Sequence, residues 1–329
     1  MPEKKRSRFK RYLGYTLFFL VTLVVSLYLT FPMAALKPRV VGMLEQAVAQ
    51  AGPPAGRYGS PSEVKVGEVD LYRLSGVELS DLSVRLSTSD PDPGPTWELD
   101  NARVRLQLLP LLLGNRRVSF DLDGYGGNVT GEALMIEERL VEVEVDADAI
   151  QIGEIPHLAN ALGAPLKLEL AAEAQLKLGK TPKETTGEIM IKGTGGAVGP
   201  GTLKVPVPPI SLNCNLESVI ELGELDVEVK VADGKASTEK AQLVGKDIDL
   251  RADLSVNLRK RLKTSPASGA LVLKFDEGLL KREKEVKSAV ELAELRIKRG
   301  KDKEGAYHFK LSGALGSLRP VPDAKAKVD

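Results

Sequence analysis

Hydrophobic and polar positions follow three patterns in turn along this chain. The run Tyr12–Phe31 carries no charge, and about 20 such residues suffice for an α-helix to cross the hydrocarbon core of a bilayer. Ahead of it, Lys4, Lys5, Arg6, Arg8, Lys10 and Arg11 are opposed by Glu3 alone. A basic flank stays in the cytoplasm. The pattern therefore predicts one N-terminal transmembrane helix over 12–31, with 1–11 cytoplasmic and the rest delivered across an inner membrane to the periplasm. A cleaved signal peptide has the same charge order but a shorter apolar core and a small-residue exit. Here Met33 stands where a small residue is wanted. In the second pattern, Leu36, Val40, Met43, Leu44, Ala47 and Val48 recur at helical spacing within 32–50. An amphipathic helix packed on the following domain is expected there, and Ala51–Gly56 reads as a linker that completes segment 32–56.

From Val64 onward the period is two, the signature of half-buried strands. Ala102, Val104, Leu106 and Leu108 alternate with Asn101, Arg103, Arg105 and Gln107. Val141, Val143, Val145 and Ala147 alternate with Glu142, Glu144, Asp146 and Asp148. The alternation over Leu166–Leu178 is unbroken, and at about 3.3 Å per residue such a strand reaches about 43 Å. Ile248–Leu258 repeats it. The fold class that follows is mainly β: an elongated, twisted antiparallel sheet, flat or curled into a half-barrel or groove. Helices are expected to be few and short, at Ile155–Leu162, ended by Gly163, and at Gly278–Ala293. Thr181–Gly187 reads as a polar turn and Gly193–Pro209 as a Gly/Pro-rich loop between two strand-rich halves. The β-rich domain is placed at 57–320, either subdivided near 200 or carrying one sheet through both halves. Residues 321–329 are expected to form a flexible tail.

Composition narrows the chemistry. The whole chain is +1 and residues 1–11 supply +5, so the remainder is −4. Nothing there resembles the dense basic face of a nucleic-acid binder. A single cysteine, Cys214, excludes an internal disulfide framework and reads as a small buried hydrophobe. His157 and His308 are the only histidines and neither has a ligand-spaced partner. Glycine clusters at 124–131 and 193–199 contain G-x-G. A dinucleotide loop needs a helix opening after it, whereas strands flank both clusters, so turns or bulges are expected. The acidic series Glu137, Glu138, Glu142, Glu144, Asp146 and Asp148 fits a solvated strand face better than a folded Ca²⁺ loop. There is no G-x-S-x-G. No catalytic, cofactor-binding or metal-ligating residue is assigned, no cofactor is implied, and a non-enzymatic protein is expected.

Some of these segments resemble a known group. Leu99–Gly131, with its L-x-P-L-L-x-G turn at Leu108–Gly114, resembles a signature of the AsmA-like envelope proteins, and Gly76–Val84 resembles that group's strand entry. Within the group, the second half is more similar to the type II secretion system protein N family. The similarity lies in Gly245–Leu258, Ser265, Leu271–Leu273, Tyr307–Leu315 and Arg319-Pro320. This resemblance implies an inner-membrane-anchored, periplasmic accessory of type II protein secretion that acts by contacts with other secretion subunits. The wider kinship implies an alternative, an apolar β-groove that binds or conducts phospholipid. The two differ in whether the apolar face of strands such as Leu166–Leu178 is covered.

Overall fold

The computed structural model describes residues 12, 14–16, 18–19, 22–23, 26, 33–51, 60–73, 75–87, 94–136, 139–207 and 210–328. Segment 1–11 and much of the expected transmembrane helix therefore lie outside the described residues. The described positions between 12 and 26 are helical. No helix among the described residues is long and apolar enough to cross a membrane.

Helix α1 (Met33–Ala51) lays Leu36, Val40, Leu44 and Val48 against Val64, Val69, Leu79, Leu82 and Ala102. The contact uses a strict four-residue spacing, which keeps one narrow stripe on the sheet. Met43, expected in that stripe, is instead 71% exposed. The strands that receive the helix are β1 (Glu63–Lys65), β2 (Glu68–Tyr72) and β3 (Gly76–Arg85). β1 and β2 both pair antiparallel with the same edge of β3, one at each end of it.

From β3 the chain runs as an antiparallel meander. β4 (Thr96–Leu106), β5 (Arg116–Gly124), β6 (Gly127–Ile136), β7 (Arg139–Gln151), β8 (Leu166–Lys177) and β9 (Thr186–Val198) each pair with the preceding strand. A hairpin of β10 (Gly201–Val207) and β11 (Ile210–Leu216) then leaves the sheet as a separate two-stranded unit. β12 (Ile220–Ala232) returns to pair directly with β9. β13 (Lys235–Val244), β14 (Ile248–Asn257), β15 (Pro266–Phe275), β16 (Tyr307–Ala314) and β17 (Arg319–Pro322) complete one open, 15-stranded sheet. The expected antiparallel β architecture is thus present, and one sheet passes through the Gly-rich region. Short helices sit in the connections: α2 (Leu108–Leu112), α3 (Pro156–Leu162), α4 (Glu277–Arg282) and α5 (Lys284–Ile297).

Tight turns follow from local sequence. Tyr125-Gly126 and Asp233-Gly234 connect their strands with both φ values positive, between 52° and 75°. Such two-residue turns match the twist of the flanking strands, and Gly or Asp-Gly pairs supply them cheaply. Two expectations need correction. Gly193–Val198 is the end of β9 and Gly201–Val207 is β10, so most of 193–209 is strand, not loop. A Cβ on Gly193 would stand 2.9–3.0 Å from Leu170, Leu225 and Leu168, so glycine there lets β8 and β12 close on β9. The tail expected from 321 begins inside β17, and the Asp323 N–H donates to the His308 carbonyl. The sheet's outer edges are blunted. β17 is four residues with Pro320 and Pro322, and β1 is three residues long, features that discourage edge-to-edge pairing.

Among the described residues, buried hydrophobic side chains gather in two clusters. One cluster lies under α1. Another gathers Ala164, Val198, Leu216, Ile220 and Leu279 where β11 and α4 fold back. The second cluster is tied by two buried carboxylates. Glu283, 1% exposed between α4 and α5, accepts from the Ser218 hydroxyl and from the N–H groups of Glu217 (3.0 Å) and Ser218 (2.8 Å). Burial alone would raise its pKa, yet these bonds and the Arg282 charge hold it below the usual carboxylate range. Asp247 accepts from the Arg282 guanidinium and the Glu221 N–H, each at 2.7 Å. Removing the Glu283 carboxylate leaves buried donors without an acceptor. We expect Glu283→Ala to cost about 3 kcal/mol, read as a lower melting temperature, whereas Glu277→Ala on the exposed side of α4 should leave it within about 0.5 kcal/mol.

Candidate functional site: an uncovered apolar sheet face

Strand register aligns the alternating residues into rows across the sheet. One row runs Ala102, Leu122, Val129, Ala147, Ala172 and Ile191, then on to Val227 and Ala241. A parallel row joins Val104, Phe120, Gly131, Val145, Ala174 and Ile189 to Val229. A third joins Leu106, Val118, Ala133, Val143 and Leu176. Eight strands about 4.8 Å apart give the first row a length of about 34 Å.

Between β5 and β9 no residue of these rows is buried; all are half-buried, Leu122 against the cluster under α1. A second packed layer would bury them. Apart from α2, which contacts β5 beside it in the chain, the described helices lie elsewhere: α1 on β1 and β2, α3 on β10, α5 on β11. Among the described residues, the central apolar face is uncovered. Its relief is set by side-chain size: Ala147, Ala172 and Ala174 form a low centre between Leu122 on one side and Ile189 and Ile191 on the other.

The opposite face is polar and cross-linked. Arg103 donates to Glu78 at 2.9 Å and lies 3.7 and 3.8 Å from Asp121 and Asp123. Asn128 donates to the same two aspartates at 2.6 and 2.7 Å. The Asn101 amide, then Arg103, hold Glu78 below its ordinary pKa. Gln107 and Arg117 both donate to Glu132. Glu144, Asp146 and Asp148 stand exposed on β7, as a solvated strand face requires, and Glu142 pairs with Lys177 at 3.2 Å; Glu137 and Glu138 lie outside the described residues. Among the described residues, no group of three or more His, Cys, Asp or Glu side chains gathers as for a metal ion.

The remaining singled-out residues are dispersed. Cys214 is buried, and burial followed by the Glu285 charge pushes its thiol pKa up, the opposite of an activated nucleophile. His157 meets the Trp97 ring edge-on at 4.5 Å between centroids. His308 sits between Asp302, 3.0 Å from Nε2, and the Ala326 carbonyl, 2.8 Å from Nδ1. That pairing ties the loop before β16 and the segment after β17 to the strand, and it was not legible from the sequence, because the non-helical, non-alternating stretch from Asp302 to His308 gives no periodic signal.

Comparison with protein-family models, with curated proteins and with solved structures finds no match. The resemblance to the AsmA-like and protein N families rests on the motifs alone.

Two outcomes are expected. On an open face, truncation leaves no enclosed cavity, so Ile191→Ala should cost about 1 kcal/mol, against about 3 or more for Leu279→Ala in the closed cluster. Equal losses of melting temperature would mean that something covers the face. The second concerns pH. Asp302 raises the His308 pKa and His308 lowers that of Asp302. The histidine's contribution is complete below its unfolded pKa and is lost as pH rises through the higher folded one; the aspartate's is lost as pH falls through its lowered value. Amide exchange at Asp323 should therefore accelerate as pH rises past the His308 folded pKa, beyond the intrinsic rate. Asp302→Asn should remove that step.

Proposed function

We propose that this chain is a membrane-anchored envelope protein whose sheet forms an apolar groove for lipid acyl chains. The anchor is the uncharged run 12–31, and the domain from 57 onward faces the periplasm. The observation that carries the reading is the uncovered apolar face of β5–β9. Exposed contiguous apolar surface is costly in water, and an occupant without hydrogen-bonding needs answers that cost. The half-buried part of the first row, Leu122 to Ala241 across seven strands, is about 29 Å long, close to the roughly 30 Å hydrocarbon thickness of a bilayer, so an extended acyl chain fits within it. Rows of Val, Ala, Leu and Ile carry no donor or acceptor of their own, which suits a chain recognised by apolarity rather than by headgroup. The protein acts by binding, and its mechanism is reversible burial of the chain, driven by release of water from both surfaces.

The competing reading, an accessory subunit of type II secretion that contacts other subunits, is motivated by the resemblance of 245–258 and 307–320. The experiment separates the two. In the full chain, a phospholipid with a photoactivatable group in its acyl tail should cross-link to peptides from β5–β9. Val145→Asp together with Ile191→Asp should abolish this while the far-UV circular dichroism stays unchanged. Absence of cross-links in a folded protein, with impaired export in a deletion strain, would replace the lipid reading by the secretion one.

A further inference from the structure

The connection between β4 and β5 carries the most exposed apolar cluster of the described β-rich domain. Leu109, Leu112 and Leu113 are 76%, 85% and 78% exposed, and Leu108 and Leu111 are 44% and 39% exposed. The short helix α2 holds four of them and Leu113 caps its C-terminus, within a loop that Gly114 closes at φ 87°. A loop that spends six positions on Leu and Pro has no need of them for its own fold: none of α2 is buried.

The surroundings are basic. Arg105 and Arg116 flank the loop in sequence at the ends of β4 and β5, and Arg73 lines the shallow cleft beside it with Ser75, Leu106 and Leu109. Arg117 completes the set and pairs with Glu132 at 3.1 Å. No carboxylate among the described residues forms an ion pair with Arg73, Arg105 or Arg116; the neighbouring β6–β7 turn carries Glu137 and Glu138, outside those residues.

We propose that this leucine loop docks into the surface of an anionic phospholipid bilayer. Its side chains are exposed on successive positions around one short turn, not along a single stripe as a protein groove would select. Leucines enter the headgroup–acyl boundary, while arginines bury their stems and keep guanidinium groups at phosphate level. The loop also adjoins the row Leu106–Val118–Ala133, the edge of the apolar face nearest this rim. Docking there places that edge against the membrane. The proposal concerns residues other than the acyl-binding rows, so either can fail alone.

The full chain, with Cys214→Ala, is reconstituted in nanodiscs and labelled with an environment-sensitive dye at Leu112→Cys. A label at Lys303→Cys, in the loop before β16 at the opposite ends of the strands, is the control. In discs containing phosphatidylglycerol, the dye at 112 should shift to the blue and be quenched several-fold by spin-labelled lipids, and the dye at 303 should not. Arg73→Glu with Arg116→Glu should reverse the effect, as should discs of phosphatidylcholine alone. Water-like emission at 112 in anionic discs overturns the proposal. So does quenching that is equal in both lipids or unchanged by the arginine substitutions. Failure here with acyl cross-linking intact leaves the groove reading standing.

Discussion

Main-chain pairing with the next strand is the constraint on which the rest of this molecule depends. Apart from β1 on β3 and the β9–β12 junction across the hairpin excursion, every strand from β3 to β9 and from β12 to β17 pairs with its neighbours in the chain. The backbone groups of one strand are satisfied only if both flanking strands are in place. Local hairpins such as Tyr125-Gly126 and Asp233-Gly234 therefore set register for whole rows of side chains. A shift of one residue would exchange the apolar and polar faces.

Because pairing and not a shared core holds the centre, the two faces are free to diverge. The polar face is stitched by Arg103, Asn128 and Glu132 across three or four strands. Each such contact is only part-buried and individually weak; together they orient side chains away from the apolar face. Closed packing is reserved for the places where connections leave the sheet, under α1 and around Leu279 and Glu283. There, buried carboxylates bind the β11–β12 connection to α4 and α5, so the hairpin excursion at 201–216 is locked without needing a place in the main sheet.

The open centre and the leucine loop share one logic. Both display apolar side chains that the fold itself does not consume. A chain that buries a compact core would hide them first, since hydrophobic burial is the dominant favourable term in folding. Their display on one sheet and at one rim is what motivates reading the protein through lipid rather than through catalysis.

The sequence by itself determined the period, and with it the strands, the faces and the amphipathic α1. Alternation such as Leu166–Lys177 or Glu142–Asp148 states which side chains share a side, because side-chain direction in a strand is a local property. The helix 156–162 and the stop at Gly163 were equally legible from caps and spacing. What only the tertiary structure decided is non-local. Alternation cannot say whether an apolar face meets a second layer or stays open, since the pattern is identical in both cases. Nor could glycine content reveal that 193–198 is strand, because the reason is the approach of Leu170 and Leu225 from two other strands. The exposed leucines of α2 read in sequence as a turn motif; their exposure depends on which elements fail to reach them. The pairing of His308 with Asp302, and the burial of Glu283 against Ser218, likewise arise where distant segments meet, and no local spacing encodes such a meeting.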